Sequence, residues 1–146
     1  MKEKIFNDIN QFLKASEKEK VMVLRMVKSA ILEQERELKK ALDEGAIAQI
    51  INKQIKMRKE SIEQFKLGNR QDLIEKAEQE MELLKMYLPE QLDEKAINDI
   101  IEDAFAKIKP TSSKDIGKIM QDIMPKLKGK ADMSFVNKLV RSKLGD

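Results

Sequence analysis

Apolar residues recur at helical spacing from the first residues of this chain almost to its last. Nowhere do they alternate with the period of a strand. That pattern confines the fold to packed helices. Ile5, Phe6, Ile9, Phe12 and Leu13 mark a short first helix. "SEKEK" then turns the chain, with Ser16 as a candidate N-cap. Leu24, Val27, Ile31, Leu38 and Leu42 line a long second helix. Asp43, Glu44 and Gly45 are read as its end, because glycine supports a left-handed C-cap. Ile47, Ile51, Ile55, Ile62 and Phe65 form the stripe of a third helix, stopped by "LGNR" at Gly68 or Asn69. Leu73, Ala77, Met81, Leu84 and Leu88 form that of a fourth, closed by Pro89. Connections this short place sequential helices antiparallel.

"YLPEQLDEK" reads as a boundary, with Asp93 capping the next helix. Ala96, Ile97, Ile100, Ile101, Ala104, Phe105 and Ile108 face inward there. "KPTSSKD" is the following turn. Ile116, Ile119, Met120, Ile123, Met124 and Leu127 give a further stripe, which the sequence breaks at Pro125 and Gly129. After "KGKAD", Asp132 caps a last helix whose inner face holds Phe135, Val136, Leu139, Val140 and Leu144. The expected fold is all-α. An N-terminal lobe of about four helices with a long helical hairpin occupies residues 1–91, and a three-helix bundle occupies 92–146. A chain of 146 residues fits one domain or two small ones. Two small lobes each bury a smaller share of their surface than one compact domain does.

Several chemistries are excluded by residue type. The chain has no cysteine, so it has no disulfide, thiolate metal site or cysteine nucleophile. It has no histidine, which removes Ser–His–Asp catalysis and imidazole metal ligation. Glu75, Glu78 and Glu82 share helical spacing, but a di-iron bundle needs Glu-x-x-His pairs, so they read as a solvated acidic face. No Walker A, dinucleotide, EF-hand or Gly-x-Ser-x-Gly motif occurs. No catalytic residue, metal or cofactor is therefore expected. The N-terminal segment lacks the apolar run of a signal peptide, and no stretch approaches a membrane span. The expected location is the cytoplasm, away from membranes.

Charge is more informative than chemistry. The net charge is +3, yet Lys114 to Asp146 holds eight Lys/Arg against four Asp/Glu, a local +4. Lys126, Lys128 and Lys130 surround Gly129, which permits a tight turn. Lys138 and Arg141 lie one turn apart on the last helix, opposite its apolar stripe. Such a set can match the spacing of backbone phosphates, which positions a nucleic acid without specifying its sequence. The same pattern also describes a merely solvated face. Elsewhere, Arg58 in "KMRKESIEQF" falls on the apolar side of the third helix. It is expected to pair with an acid of a neighbouring helix, the alternative being a phosphate or carboxylate held by its planar fork.

Two stretches carry a family resemblance. "RKESIEQFKLGNRQDLIEKAEQEMELLKMYLPEQL" and "DIGKIMQDIMPKLKGKADMSFVNKLVRSKL" together resemble the YqeY-like proteins, the GatB/YqeY family, over essentially the whole chain. The last third is also similar to the tail domain of the B subunit of tRNA-dependent amidotransferase. The resemblance implies a helical lobe joined to a small helical bundle, and an association with carbon–nitrogen ligase chemistry that uses glutamine as amido-nitrogen donor. It implies tRNA as a partner, contacted by Lys126, Lys128, Lys130, Lys138 and Arg141, with an amidotransferase or aminoacyl-tRNA synthetase as protein partner. The chain lacks the kinase-like body of the B subunit and the Ser-Ser-Lys amidase arrangement of the A subunit. The expected function is thus a tRNA-binding accessory protein that is not catalytic alone. The alternative is a non-catalytic module that docks through its long second and third helices.

Overall fold

The computed structural model describes residues 1–145. It is all-α, with seven α-helices, one 3-10 turn and no strand among the described residues. The chain divides into two compact units, Met1–Leu88 and Pro89–Asp146.

The first unit contains α1 (Lys2–Lys14), α2 (Lys18–Leu38), α3 (Glu44–Leu67) and α4 (Gln71–Lys85). α1 packs on α2, α3 on α4, and α2 touches both α3 and α4. Ile5, Leu24, Val27, Ile31, Ile51 and Leu84 are fully buried at the centre. Each such side chain contributes roughly 1.5–3 kcal/mol relative to exposure.

Helix ends in this unit do not follow the glycines. Ser16, Lys39 and Asn69 take left-handed φ values of 60°, 56° and 53°. At each, the next amide reaches back to close the helix: Glu17 to Phe12, Lys40 to Glu35, and Arg70 to Phe65. These are Schellman closures, which satisfy carbonyls the helix would otherwise leave open. Ser16 therefore ends α1 and does not cap α2, whose N-cap is Glu17 with no side-chain bond. Gly45 does not end α2 either. It lies in the first turn of α3, and Asp43 is that helix's N-cap, accepting from the Ala46 amide at 2.8 Å. With α2 ending at Leu38, that side chain is 55% exposed, and Leu42 reaches the core from the connection instead. On α4 the buried stripe is Ile74, Ala77, Met81, Leu83 and Leu84, while Leu73 is only half-buried; Tyr87 and Leu88 lie beyond the helix end and pack on the same core.

Two polar anchors tie α1 down. Lys2 Nζ donates to Glu35 at 2.7 Å, and the other Glu35 oxygen accepts from the Leu42 amide at 2.9 Å. The hydrogen bond from Lys2, then that from Leu42, holds the Glu35 carboxyl below its ordinary range. Tyr87 Oη donates to Asp8 Oδ2 at 2.5 Å, and Lys4 donates to the same oxygen at 3.0 Å. The Tyr87 bond leads in lowering the Asp8 carboxyl. Burial first, and Asp8 second, push the Tyr87 phenol well above its usual value.

The second unit contains α5 (Glu94–Ile108), a 3-10 turn at Ser113–Asp115, α6 (Ile116–Leu127) and α7 (Met133–Lys143). Ile97, Ile101, Ala104, Ile119, Ile123, Leu127, Ala131, Val136 and Val140 form its separate core. Asp93 caps α5 by accepting from Ala96 N at 2.8 Å, and Asp132 caps α7 by accepting from Ser134 N at 3.0 Å. Pro125 does not break α6. Its ring removes one amide, but burial of Leu127 and the 2.8 Å bond from Lys128 N to Met124 O close the turn beyond it. Met124, expected inside, is 38% exposed.

The boundary falls between Leu88 and Pro89, ahead of Gln91. Gln91 and Leu92 belong with the second unit because both donate to carbonyls of the turn after α6.

Candidate nucleic-acid interface

The turn joining α6 to α7 is Lys128–Gly129–Lys130–Ala131, closed by Asp132. Gly129 has φ 79°, the left-handed region where an L side chain is strained, and it is buried. The Lys130 amide bonds Leu127 O at 2.9 Å. From outside the turn, the Leu92 amide bonds Lys130 O at 2.9 Å and Gln91 Nε2 bonds Gly129 O at 2.9 Å. The backbone of this short loop is thus fixed on both sides.

The predicted basic residues occupy three settings. Lys126, on the last turn of α6, lies 3.8 Å from Asp122 Oδ2, while the other oxygen of Asp122 accepts from Lys107 at 3.1 Å. Lys128 is half-buried at the helix end. Lys130 and Lys138 are exposed, and neither has an ion pair among the described residues. Arg141 is exposed, with its Nε donating to Asn137 Oδ1 at 2.7 Å. That bond runs along α7, between residues one turn apart. α7 itself contains Lys138, Arg141 and Lys143 and no acid, and Lys143 lies 3.7 Å from Glu102 of α5. Phe105 and Phe135 pack against the core of the unit, which leaves a cationic surface without an aromatic platform for bases.

Sequence reasoning missed Gln91. Its partner is 38 residues downstream, and no local pattern signals such a bond. It placed Arg58 correctly. Arg58 Nε lies 3.6 Å from Glu80 of α4, and its Nη1 donates to the carbonyl and side chain of Gln54 at 3.0 and 2.9 Å. This is a structural hub of the first unit.

Ser112, Ser113 and Lys114 are adjacent in sequence, but they build a turn. Ser112 Oγ accepts from Lys114 N at 3.3 Å and caps the 3-10 segment. Among the described residues no group of His, Cys, Asp or Glu is arranged to hold a metal ion, and no helix is long and apolar enough to cross a membrane.

Residues 2–144 match the Yqey-like protein family. A Pyrenophora tritici-repentis protein named altered inheritance of mitochondria protein 41, mitochondrial, is 26% identical over 141 residues, covering 94% of this chain and 77% of the relative. The protein of that name from Vanderwaltozyma polyspora is 32% identical over 120 residues, covering 69% of this chain and 65% of the relative. The one from Lachancea thermotolerans is 49% identical over 49 residues, covering 34% and 26%. The matched part is therefore less than two thirds of the length of the last two relatives. With a match from Lys2 to Leu144, and a helical core in each of its two units, this chain belongs to the family of Yqey-like proteins.

Proposed function

We propose that this chain is a tRNA-binding accessory protein related to glutamine-dependent tRNA amidotransferases, and that it holds the tRNA backbone with the basic turn and α7 of its second unit. The observation that supports this most is the state of the cations. Lys130 and Lys138 are exposed without an internal ion pair among the described residues, on a turn and a helix that carry no competing acid beyond the cap Asp132. A lysine with an acid partner must give up that contact to meet a phosphate, and an unpaired one need only release its own hydration. Lys126, Lys128 and Arg141 extend the same charge. The scarcity of exposed aromatics favours backbone contact over base stacking. The reading requires a compartment that contains tRNA, which both the cytoplasm expected from the sequence and the mitochondrion in the relatives' names provide. It assigns no chemistry to the chain itself.

Replacing Lys128, Lys130, Lys138 and Arg141 together by alanine is the test. Each phosphate neutralised contributes about 0.7–0.9 to the slope of log affinity against log salt. The quadruple variant should bind different tRNAs more weakly by a similar factor, with a flatter slope, and should keep its helicity because alanine favours helix. Titration at several salt concentrations with circular dichroism reads both. A folded variant with unchanged affinity and slope would shift the reading to a docking module. One observation favours that second reading: Met22, Met26 and Met57 are exposed on α2 and α3, and methionine suits adaptable contact surfaces.

A further inference from the structure

The segment that enters the second unit also grips its basic turn. Gln91 Nε2 donates to Pro89 O and to Gly129 O, both at 2.9 Å. The amide of the next residue, Leu92, donates to Lys130 O at 2.9 Å. Two consecutive residues thus serve two consecutive carbonyls of the turn. The Leu92 side chain packs against the core of the unit, which fixes where its amide points. Gln91 is different. It is an exposed residue with a long flexible side chain, and its two hydrogen bonds to backbone carbonyls oppose the rotamer freedom such a side chain ordinarily keeps.

The glycine peptide is the weak point of the turn. Gly129 separates Lys128 from Lys130, and glycine is the residue with the widest backbone freedom. Bonding its carbonyl limits rotation of the peptide that sets the spacing of those two side chains. A turn ordered before binding loses less on contact with a ligand than one ordered by it.

We propose that Gln91 is a positioning residue for the phosphate-binding turn. It holds the Gly129 peptide so that Lys128 and Lys130 are presented together, without itself touching nucleic acid. This rests on the phosphate-binding reading above, so the experiment has one arm that does not involve RNA. In the full chain, Gln91→Met removes the donor and keeps the length of the side chain. The exposed position makes this variant tolerable to the fold. Its Lys130 amide, which bonds Leu127 O from the same peptide as the Gly129 carbonyl, should exchange with solvent roughly threefold to tenfold faster, as befits one hydrogen bond. The amides in the middle of α6 and α7 should be unchanged. Its tRNA affinity should fall by roughly threefold, with the same salt slope as the parent, because no phosphate contact is deleted. Unchanged exchange at the turn overturns the clamp. Faster exchange with unchanged affinity overturns its link to binding. A parent chain that binds no tRNA overturns the phosphate reading and the binding role of Gln91 with it, and the exchange result still reports whether Gln91 holds the turn.

Discussion

The two units differ in how far their named cations are engaged with acids. In Met1–Leu88 cations are spent on closing the fold. Lys2 meets Glu35 at 2.7 Å, Lys4 meets Asp8 at 3.0 Å, and Arg58 lies against Glu80 and Gln54. In the second unit the contacts of α6 and α7 cations with acids are longer, 3.8 Å for Lys126 and 3.7 Å for Lys143, and Lys130 and Lys138 have none among the described residues. The small unit has one short pair between helices, Lys107 of α5 with Asp122 of α6 at 3.1 Å, and Lys130 and Lys138 take no part in such closure among the described residues. Composition alone hides this, because net charge counts paired and unpaired cations alike.

The largest expected effects follow from core size. Eighteen buried side chains cluster in the first unit and nine in the second. Ile123→Ala and Leu84→Ala each truncate a side chain with no exposure, at a cost of about 2–5 kcal/mol. In the smaller core that is a larger share of a marginal total. Ile123→Ala should melt α5–α7 at a temperature where the first unit stays folded. Leu84→Ala should lower the transition of the first unit and leave the second as it was. Residue-resolved exchange during thermal unfolding separates the two. Loss of both units together in either variant would make them one cooperative body and end the contrast.

An intermediate effect is expected at Tyr87, the last buried residue of the first unit. Its phenol keeps its proton in the folded state well above the ordinary pKa of 10.0. The sign follows directly: the contribution is complete below about pH 10 and is lost as pH rises beyond it, since the unfolded chain releases the proton first. Asp8 has the opposite sign. Its folded carboxyl lies below 3.8, so its contribution is present above about pH 4 and fades as acid protonates it. Tyr87→Phe should cost about 1–2 kcal/mol at neutral pH, discounted because the Asp8 side chain is still 23% exposed. Its difference from the parent should shrink above pH 10. Denaturant titrations at pH 7 and 11 measure this, and a difference that grows in alkali would contradict it.

How much of this the sequence could convey depends on the range of the interaction. Helical stripes are local, so the stripes of α1, α3 and α5 were legible, as were Asp93 and Asp132 as caps. Helix ends were legible only where local chemistry decided them. Asn69 readily takes the left-handed region, and the "LGNR" stop followed from that. Lys39 has no such preference, so Gly45 looked like the better terminator. The chain instead accepts a left-handed lysine, and Leu42 packs half-buried against the core while Asp43 caps α3. Met124 and Leu38 were placed inside by spacing alone, because a stripe's edge and its centre look alike in one dimension. At the candidate interface, the basic residue types and the turn glycine were visible. Which lysines are paired was not, nor was Gln91, since those facts belong to contacts between distant segments.

The smallest effects are also the sharpest for the contrast between paired and unpaired cations. Lys4 and Lys138 are both exposed helical lysines, so removing either leaves the core intact. Lys4→Ala deletes one of the two donors to Asp8, an exposed pair worth about 0.5 kcal/mol that salt should screen away. Lys138→Ala deletes no internal ion pair and should leave stability within about 0.5 kcal/mol, with no dependence on salt beyond the parent's. For tRNA the order should reverse. Lys138→Ala should flatten the salt slope by about 0.7–0.9, and Lys4→Ala should leave it where it was. Such a crossing cannot come from a general loss of positive charge, since each variant loses one. If both variants weakened binding equally, tRNA would be attracted by the net charge of the whole molecule and not by the turn and α7. If neither did, the free lysines of the second unit would be a solvated face. Only the crossed result ties the unpaired state of Lys138 to a ligand outside the chain.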